Sequence, residues 1–417
     1  MSKENIVVGL DVGTCSIRTV VARIKADGSK PQLIGVGQSP SCGLRKGIVV
    51  DIEEAVKSIS QSVQEAERTS GIPIERARVS ISGNHISTKI SKGVVAVSRA
   101  DGEISKEDVS RAINAASAIS ISQNREIIHI IPRSFIVDSQ ACIKEPIGMS
   151  GVRLEVDALI IEGATPFIKN LSKCVNESGV EIEELVFAPL AASRAALSKR
   201  QRELGVLALD LGGGTAGLTI FEEGDIIHSC VLPIGSSHIT NDIAIGLRSD
   251  IDLAERIKLE YGAAITSEIN RKDIVDLSKI SLGGEKGSIP RVEVVKIIEA
   301  RIGEILYLVN KELKKIDRQG LLPAGVVLLG AGAKIPGLVD LTKDELKLPA
   351  QIGFPLELDG PMDEVDDPAF ATAIGLVLWS ADKIDRDKKH RNGISFRGFS
   401  FFSPIGKIKE LLKGFLP

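Results

Sequence analysis

Two carboxylates, each followed by a turn of small residues, carry the strongest chemical signal in this chain. In 206–221, VLALDLGGGTAGLTIF, an apolar run delivers Asp210 to Gly212, Gly213 and Gly214; Thr215 follows, and a second apolar run leaves. Alternating apolar runs about a glycine tip read as a β-hairpin. Only glycine takes up φ > 0 freely while letting a ligand reach the backbone N–H groups. A concave row of such groups attracts anions, phosphate above all. A carboxylate beside that row can hold phosphate-bound Mg²⁺ through its water shell. The pattern is written twice. Residues 7–19, VVGLDVGTCSIRT, carry Asp11, Gly13, Thr14 and Ser16, and one offset superposes Asp11 on Asp210, Gly13 on Gly212 and Ser16 on Thr215. Such a repeat implies two similar domains facing each other across a cleft, each contributing an Asp and a loop.

A third element agrees. Residues 326–337, VVLLGAGAKIPG, are an apolar run ending in a glycine loop, with a helix beginning near Pro336. Its glycines at 330, 332 and 337 do not fit G-x-G-x-x-G, and no G-x-x-x-x-G-K-[ST] occurs in the chain. Together these motifs resemble the two phosphate loops and the adenosine loop of the superfamily of actin, heat-shock chaperones and sugar kinases. That resemblance implies an α/β fold: an actin-like, ribonuclease H-like duplicated two-domain ATPase binding ATP and Mg²⁺. By it, Asp11 and Asp210 sit about the metal, while Gly13, Thr14, Ser16, Gly212, Gly213, Gly214 and Thr215 serve the phosphates. Gly330, Ala331, Gly332 and Lys334 fall in the loop under adenine and ribose.

The elements that must position these loops follow from periodicity. Residues 5–38 read as three short strands, and 51–70 as an amphipathic helix capped by Asp51 and ended by Gly71. Residues 84–163 read as an inserted α+β subdomain. It has a helix from Ser105 to about Ser120 behind a Ser105-x-x-Asp108 box, and strands at 127–131, 134–137 and 154–161. Insertions at surface loops tend to carry interactions, although a plain structural elaboration fits the same residues. Thr165-Pro166 is expected to cap and start a helix, and 198–203, SKRQRE, to be a charged turn joining the halves. A long helix is expected over 292–316 and a buried one over 369–379. The expected division is 1–83 and 164–204 for the first half, completed by 366–381, with 84–163 as its insert. The second half is 205–242 and 318–365, with 243–317 as its insertion; 382–398 is a linker and 399–417 a separate tail.

Composition narrows the class. The 417 residues are 43% hydrophobic and 26% charged with a net charge of −3, so nothing favours nucleic acid. The five cysteines contain no C-x-x-C pair, which fits a reducing compartment without disulfides or a zinc motif. No run of 18 apolar residues exists, and the N-terminus is no signal peptide.

Within the superfamily the whole chain resembles FtsA, the bacterial cell-division actin homologue. SISGNHI (80–86), ELGVLALDLGGGT (203–215), AERIKLEYG (254–262), IIEARIGEIL (297–306) and the tail carry that likeness. The resemblance implies that Glu255 and Lys258 flank adenine and ribose; by spacing alone they are equally a solvated helix pair. It implies filaments of the protein itself, late division partners on the 84–163 insert, and the FtsZ C-terminal tail docking near Arg291 and Arg301. A plain exposed helix face is the alternative for those two arginines. The usual water-positioning Glu or Gln falls on Ala188, which implies weak or no ATPase activity and a slow nucleotide switch. Rival readings are a sugar or acetate kinase, which would need a catalytic Asp and a substrate pocket, and a chaperone ATPase, which would need a peptide-binding domain. A pilus-assembly relative of the same fold is a third.

The tail speaks against the kinase and the pilus-assembly relative. In 403–417, SPIGKIKELLKGFLP, Ser403 and Pro404 suit a helix start. At about 100° per residue, Ile405, Ile408, Leu411, Leu412, Phe415 and Leu416 fall within an arc of roughly 140°. Lys407 and Lys409 flank the arc, where their stems can lie along the apolar face while their charges meet anionic headgroups, and Lys413 joins this lipid-facing set. The expected place is the cytoplasmic face of the inner membrane at the septum, as a peripheral protein. A terminal helix packed on its own core is the alternative.

Overall fold

The computed structural model describes residues 5–25, 29–118, 123–280, 287–360 and 365–391, with backbone alone for 385–391. The expected membrane tail lies outside the described residues.

The first half opens as an antiparallel meander, β1 (Asn5–Val12), β2 (Ser16–Ile24) and β3 (Gln32–Pro40). Leu10, Ile17, Val20 and Val21 are fully buried in it. A tight hairpin, β4 (Leu44–Arg45) and β5 (Ile48–Val49), turns at Lys46 and Gly47, both at positive φ. α1 (Ile52–Ser70) then begins where Asp51 accepts the Glu54 N–H, and Gly71 ends it at φ 69°. α1 rests directly on β3 because Gly37 has no side chain: a Cβ there would lie 2.0 Å from the Ser62 carbonyl oxygen. β6 (Arg76–Ile81) returns parallel to β1.

The insert follows as β7 (Ile86–Ala96), α2 (Lys106–Ala118), β8 (Arg125–Val137), β9 (Gln140–Ile143) and β10 (Arg153–Ala164). Its sheet has the order β7-β10-β8-β9 and its own core around Ile104, Ile113 and Leu154. The Ser105–Asp108 box forms reciprocally: the Asp108 N–H donates to Ser105 Oγ at 3.2 Å, and the Ser105 N–H to Asp108 Oδ2 at 2.9 Å. The two strands expected at 127–131 and 134–137 are one. Pro132 interrupts the pattern but not the strand, because β9 pairs only with 135–137 and leaves Pro132 a partner on one side alone. The pairing with β10 skips Arg133, a bulge at the position where the proline cannot donate.

The chain re-enters the first half through α3 (Thr165–Glu177), β11 (Glu181–Phe187) and α4 (Ala188–Ala196). Thr165 does not cap α3 as expected. β10 runs straight into the helix, Ala164 holds the cap position, and the Thr165 N–H goes to the Asn124 carbonyl at 3.0 Å. The expected charged turn at 198–203 is instead a short helix, α5 (Lys199–Leu204), closed by a Ser198–Gln201 capping box.

The second half repeats the first: β12 (Val206–Leu211), β13 (Ala216–Glu222) and β14 (Asp225–Leu232) form the meander. Then come α6 (Ser236–Leu247), α7 (Ile251–Tyr261), β15 (Ile274–Asp276), α8 (Leu277–Ile280), β16 (Ser288–Pro290) and the long α9 (Arg291–Lys315). β17 (Val326–Leu329), α10 (Leu338–Leu346) and β18 (Ala350–Ile352) complete the sheet. Its order, β14-β13-β12-β17-β18, matches β3-β2-β1-β6-β11 strand for strand, with the same antiparallel and parallel pairings. The likeness of the two loops therefore extends to two entire sheets.

α11 (Ala371–Arg391) returns to the first half. It crosses α4 at Gly375, where a Cβ would stand 1.8 Å from the Ala191 carbonyl oxygen, and meets β1 at Gly9. The expected linker at 382–398 is helical in its first ten residues. Arg194 on α4 binds both carboxylate oxygens of Asp382, at 2.7 and 2.9 Å, so α11 continues past the buried segment. No described helix is long and apolar enough to cross a membrane.

Candidate functional site

The two halves meet at a cleft into which β1 and β12 deliver Asp11 and Asp210. Gly13, Thr14 and Ser16 line it from the first loop, and Gly212, Gly213 and Thr215 from the second. Gly330 and Ala331 come from the third.

The loops interlock. A Cβ on Gly213 would lie 2.2 Å from Cys15 Sγ, and one on Gly214 would lie 2.8 Å from Thr14 Oγ1. Cys15 Sγ stands 3.1 Å from Ser237 Oγ, and Thr14 Oγ1 accepts the Gly47 N–H at 3.0 Å. The first N–H groups of α6 hold the glycine loop in place: Ser236 donates to the Gly212 carbonyl and Ser237 to that of Gly213, both at 2.9 Å. Gly330, at φ 79°, has room for no side chain, since a Cβ would meet Asp210 Oδ1 at 2.4 Å.

Burial raises the pKa of both carboxyls. For Asp11, the charge of Arg18 and the Ser80 hydroxyl, donating at 2.8 Å, work against that rise. Asp210 is pushed up to about 7 by burial and by the neighbouring charge of Asp11, against weaker relief from Arg18 and from Thr372 at 3.4 Å. Two half-buried carboxylates facing each other are a costly arrangement that a divalent cation relieves. The rest of the donor set suits an anion. Ser16 Oγ and Arg18 Nε are buried without a hydrogen-bond partner, on residues that line the cleft. These residues fit a phosphate group held with a metal ion.

Arg18, Ser80 and Thr372 were not among the residues singled out from sequence. Arg18 was within reach: the offset that superposes the loops sets it against Gly217, and β1–β2 register places it opposite Asp11. Ser80 and Thr372 lie on distant segments; Ser80 opens the SISGNHI stretch of the family likeness, but nothing local marks either as a partner of the carboxylates. Ala188, the first residue of α4, is buried and lines the cleft, offering no polar group.

Other singled-out residues lie outside the cleft lining. Gly332 packs on Leu211. Lys334 binds Asp367 at 2.7 Å. Lys258, nearly buried, bridges Glu255 at 2.6 Å and Thr240 at 2.9 Å, tying α7 to α6. Arg291 donates to the Tyr261 carbonyl at 2.9 Å and faces Asp273 at 3.5 Å. Arg301 holds Asp242 through two bonds, at 2.5 and 2.8 Å, and also Glu304. Both arginines are thus paired within the chain.

A family profile described as cell division protein FtsA matches residues 207–375, and one described as the SHS2 domain inserted in FtsA matches 83–162. The cell division protein FtsA of Pseudomonas aeruginosa is 34% identical over 407 residues, covering 98% of this chain and 96% of that protein. That of Borreliella burgdorferi is 39% identical over 401 residues, covering 94% and 97%. Among solved structures, the PilM–PilN type IV pilus biogenesis complex superposes with a TM-score of 0.65 at 17% identity, covering 90% of this chain and 98% of that one. MreB5 of Spiroplasma citri bound to ADP does so at 0.53 and 15%, covering 92% and 98%. These two likenesses show an actin-like fold.

Proposed function

The chain belongs to the FtsA family of cell-division proteins, and from that premise we propose an ATP-binding, self-assembling tether between the FtsZ ring and the inner membrane. The observation that carries the nucleotide reading is the facing pair of carboxylates with their loops. Asp11 and Asp210 would hold Mg²⁺, and the N–H groups of the two loops, with Thr14, Ser16 and Thr215, would receive the phosphates. Arg18 adds the positive charge that lets two carboxylates and a polyphosphate share one cleft. Gly330 and Ala331 would meet the nucleoside, with Glu255 and Lys258 reserved for its adenine and ribose. Support for ATP rather than another phosphate comes from the fold shared with the ADP-bound MreB5.

Turnover is slow. Where a water-positioning acid would stand, Ala188 supplies only a methyl group, and loss of such a group costs roughly 10²–10⁴-fold in rate. The bound nucleotide then acts as a switch for assembly rather than as fuel.

The FtsZ tail docks by α9. An acidic peptide end would take over Arg291 and Arg301 by displacing their exposed partners Asp273 and Glu304. The tail 403–417 binds anionic lipid as an amphipathic helix, with Leu412 in its apolar arc and Lys413 beside it. One such helix holds weakly, so stable attachment requires many copies in a filament. The decisive test is flotation of the full chain with anionic liposomes, beside a chain lacking 399–417 and Leu412→Glu. Both variants are expected to stay unbound while binding ATP normally. Flotation of Leu412→Glu at the wild-type level would overturn the tether.

A further inference from the structure

Among the described residues, one group of metal-ligating side chains lies outside the cleft: His228 and Cys230 on β14 with Glu312 on α9. We propose that these three residues bind a divalent transition ion of the zinc type, pinning β14 to the C-terminal end of α9.

The arrangement begins in strand geometry. His228 and Cys230 are two apart on β14, so their side chains leave the same face. That face meets the last turns of α9, where Glu312 is buried. The imidazole, thiol and carboxylate ligand atoms all lie within 4.8 Å of one another. A tetrahedral zinc ion, with bonds of about 2.0 to 2.3 Å, holds its ligands roughly 3.3 to 3.8 Å apart, so entry requires each side chain to close in by no more than a rotamer adjustment. Nitrogen, sulfur and oxygen together suit zinc and exclude magnesium or calcium, which take oxygen alone.

Glu312 already accepts from His228 at 3.1 Å and from Lys315 at 2.6 Å. The ion would take the place of Lys315, whose side chain is 57% exposed and free to swing into water. The Cys230 proton passes to solvent as the Zn–S bond forms, and water fills the fourth position. No redox step is involved.

The site matters through its strand. β14 is the edge of the second-half sheet and the strand against which the insert rests: Thr88 donates to the Ser229 carbonyl at 2.6 Å, and Lys144 binds Asp225 at its start. An ion joining β14 to α9 would stiffen the route from the insert to the helix that carries Arg291 and Arg301.

The test uses the full chain, stripped with a chelator and titrated with Zn²⁺ and then Co²⁺ against a chromophoric competitor. One equivalent is expected, and Co²⁺ should give a near-ultraviolet thiolate charge-transfer band. Cys230→Ser should abolish that band. His228→Ala and Glu312→Gln should each weaken binding at least about 100-fold, since even outer-shell partners are worth about 10- to 100-fold. Cys42→Ser and Cys142→Ser should change nothing. Metal-free melting temperatures of all variants report folding, and a variant that fails to fold is replaced by Cys230→Ala. A Co²⁺ complex with no thiolate band, or a stoichiometry unchanged in Cys230→Ser, would overturn the proposal. ATP affinity is measured in parallel, and its loss bears on the cleft alone.

Discussion

At Arg18 the first half sets a guanidinium across the strand pair from Asp11, whereas the second half sets Gly217 across from Asp210. Gly217 is kept bare by α4, because a Cβ there would lie 2.7 Å from Pro189. The first carboxylate therefore has the arginine opposite it and a serine in hydrogen bond, whereas the second shares that arginine's charge, has a threonine at 3.4 Å and faces a like charge. The loops that follow diverge too. Thr14, Cys15 and Ser16 give the first a wall of side chains, while Gly213 and Gly214 give the second bare backbone that fits against that wall. Two copies of one hairpin can close on a shared ligand only if they are not identical: one supplies side-chain polarity, the other yields the space.

The largest test of that asymmetry is Asp210→Asn. Without the second carboxylate the metal loses half its charge partners, and affinity for Mg²⁺–ATP should fall by about 100-fold, or about 2.7 kcal/mol, measured by calorimetry. The ligand-free variant should melt higher than wild type at alkaline pH, because the poorly solvated charge facing Asp11 is gone. Asp11→Asn should gain less stability, since Arg18 and Ser80 already partner Asp11. The opposite ranking would break the comparison.

Gly213→Ala probes the fit of the loops. A methyl aimed at Cys15 Sγ should weaken nucleotide binding about tenfold. In a Gly213→Ala/Cys15→Ala double variant most of the loss should return, with a coupling of about 1 kcal/mol. Strict additivity of the two changes would mean that the loops do not press on each other.

The smallest effect is one of pH. Asp210 is raised from 3.8 to about 7 in the folded protein. The folded state therefore holds a proton that the unfolded chain releases first. Its contribution is fully present below 3.8 and is lost as pH rises through about 7. Melting temperatures of ligand-free protein between these limits should carry this downward component, visible as the difference from Asp210→Asn and suppressed by Mg²⁺–ATP. Arg18→Gln should move its upper end higher by about one pH unit, as removal of a nearby opposite charge does. An unmoved profile would show that Arg18 does not serve the pair.

Much of this protein was present in local sequence. The hairpins around Asp11 and Asp210, the Asp51 and Gly71 ends of α1, and the Ser105–Asp108 box depend on residues within a few positions of one another, so pattern and propensity suffice to place them. The repeat with one offset gave the duplicated architecture for the same reason: a hairpin is a local object, and two alike imply two sheets alike. What sequence could not decide was set by contacts between distant segments. Pro132 stays inside β8 only because β9 is too short to reach it. Residues 382–391 are helical where a linker was expected, and Arg194, far away on α4, grips Asp382. Ser80 and Thr372 reach the carboxylates from a strand and a helix far away in sequence. The pairing of His228 and Cys230 with Glu312 needs α9 laid across β14. Local sequence fixes the shape of each segment, while burial and charge are properties of the assembled neighbourhood, which exists only once the chain has closed on itself.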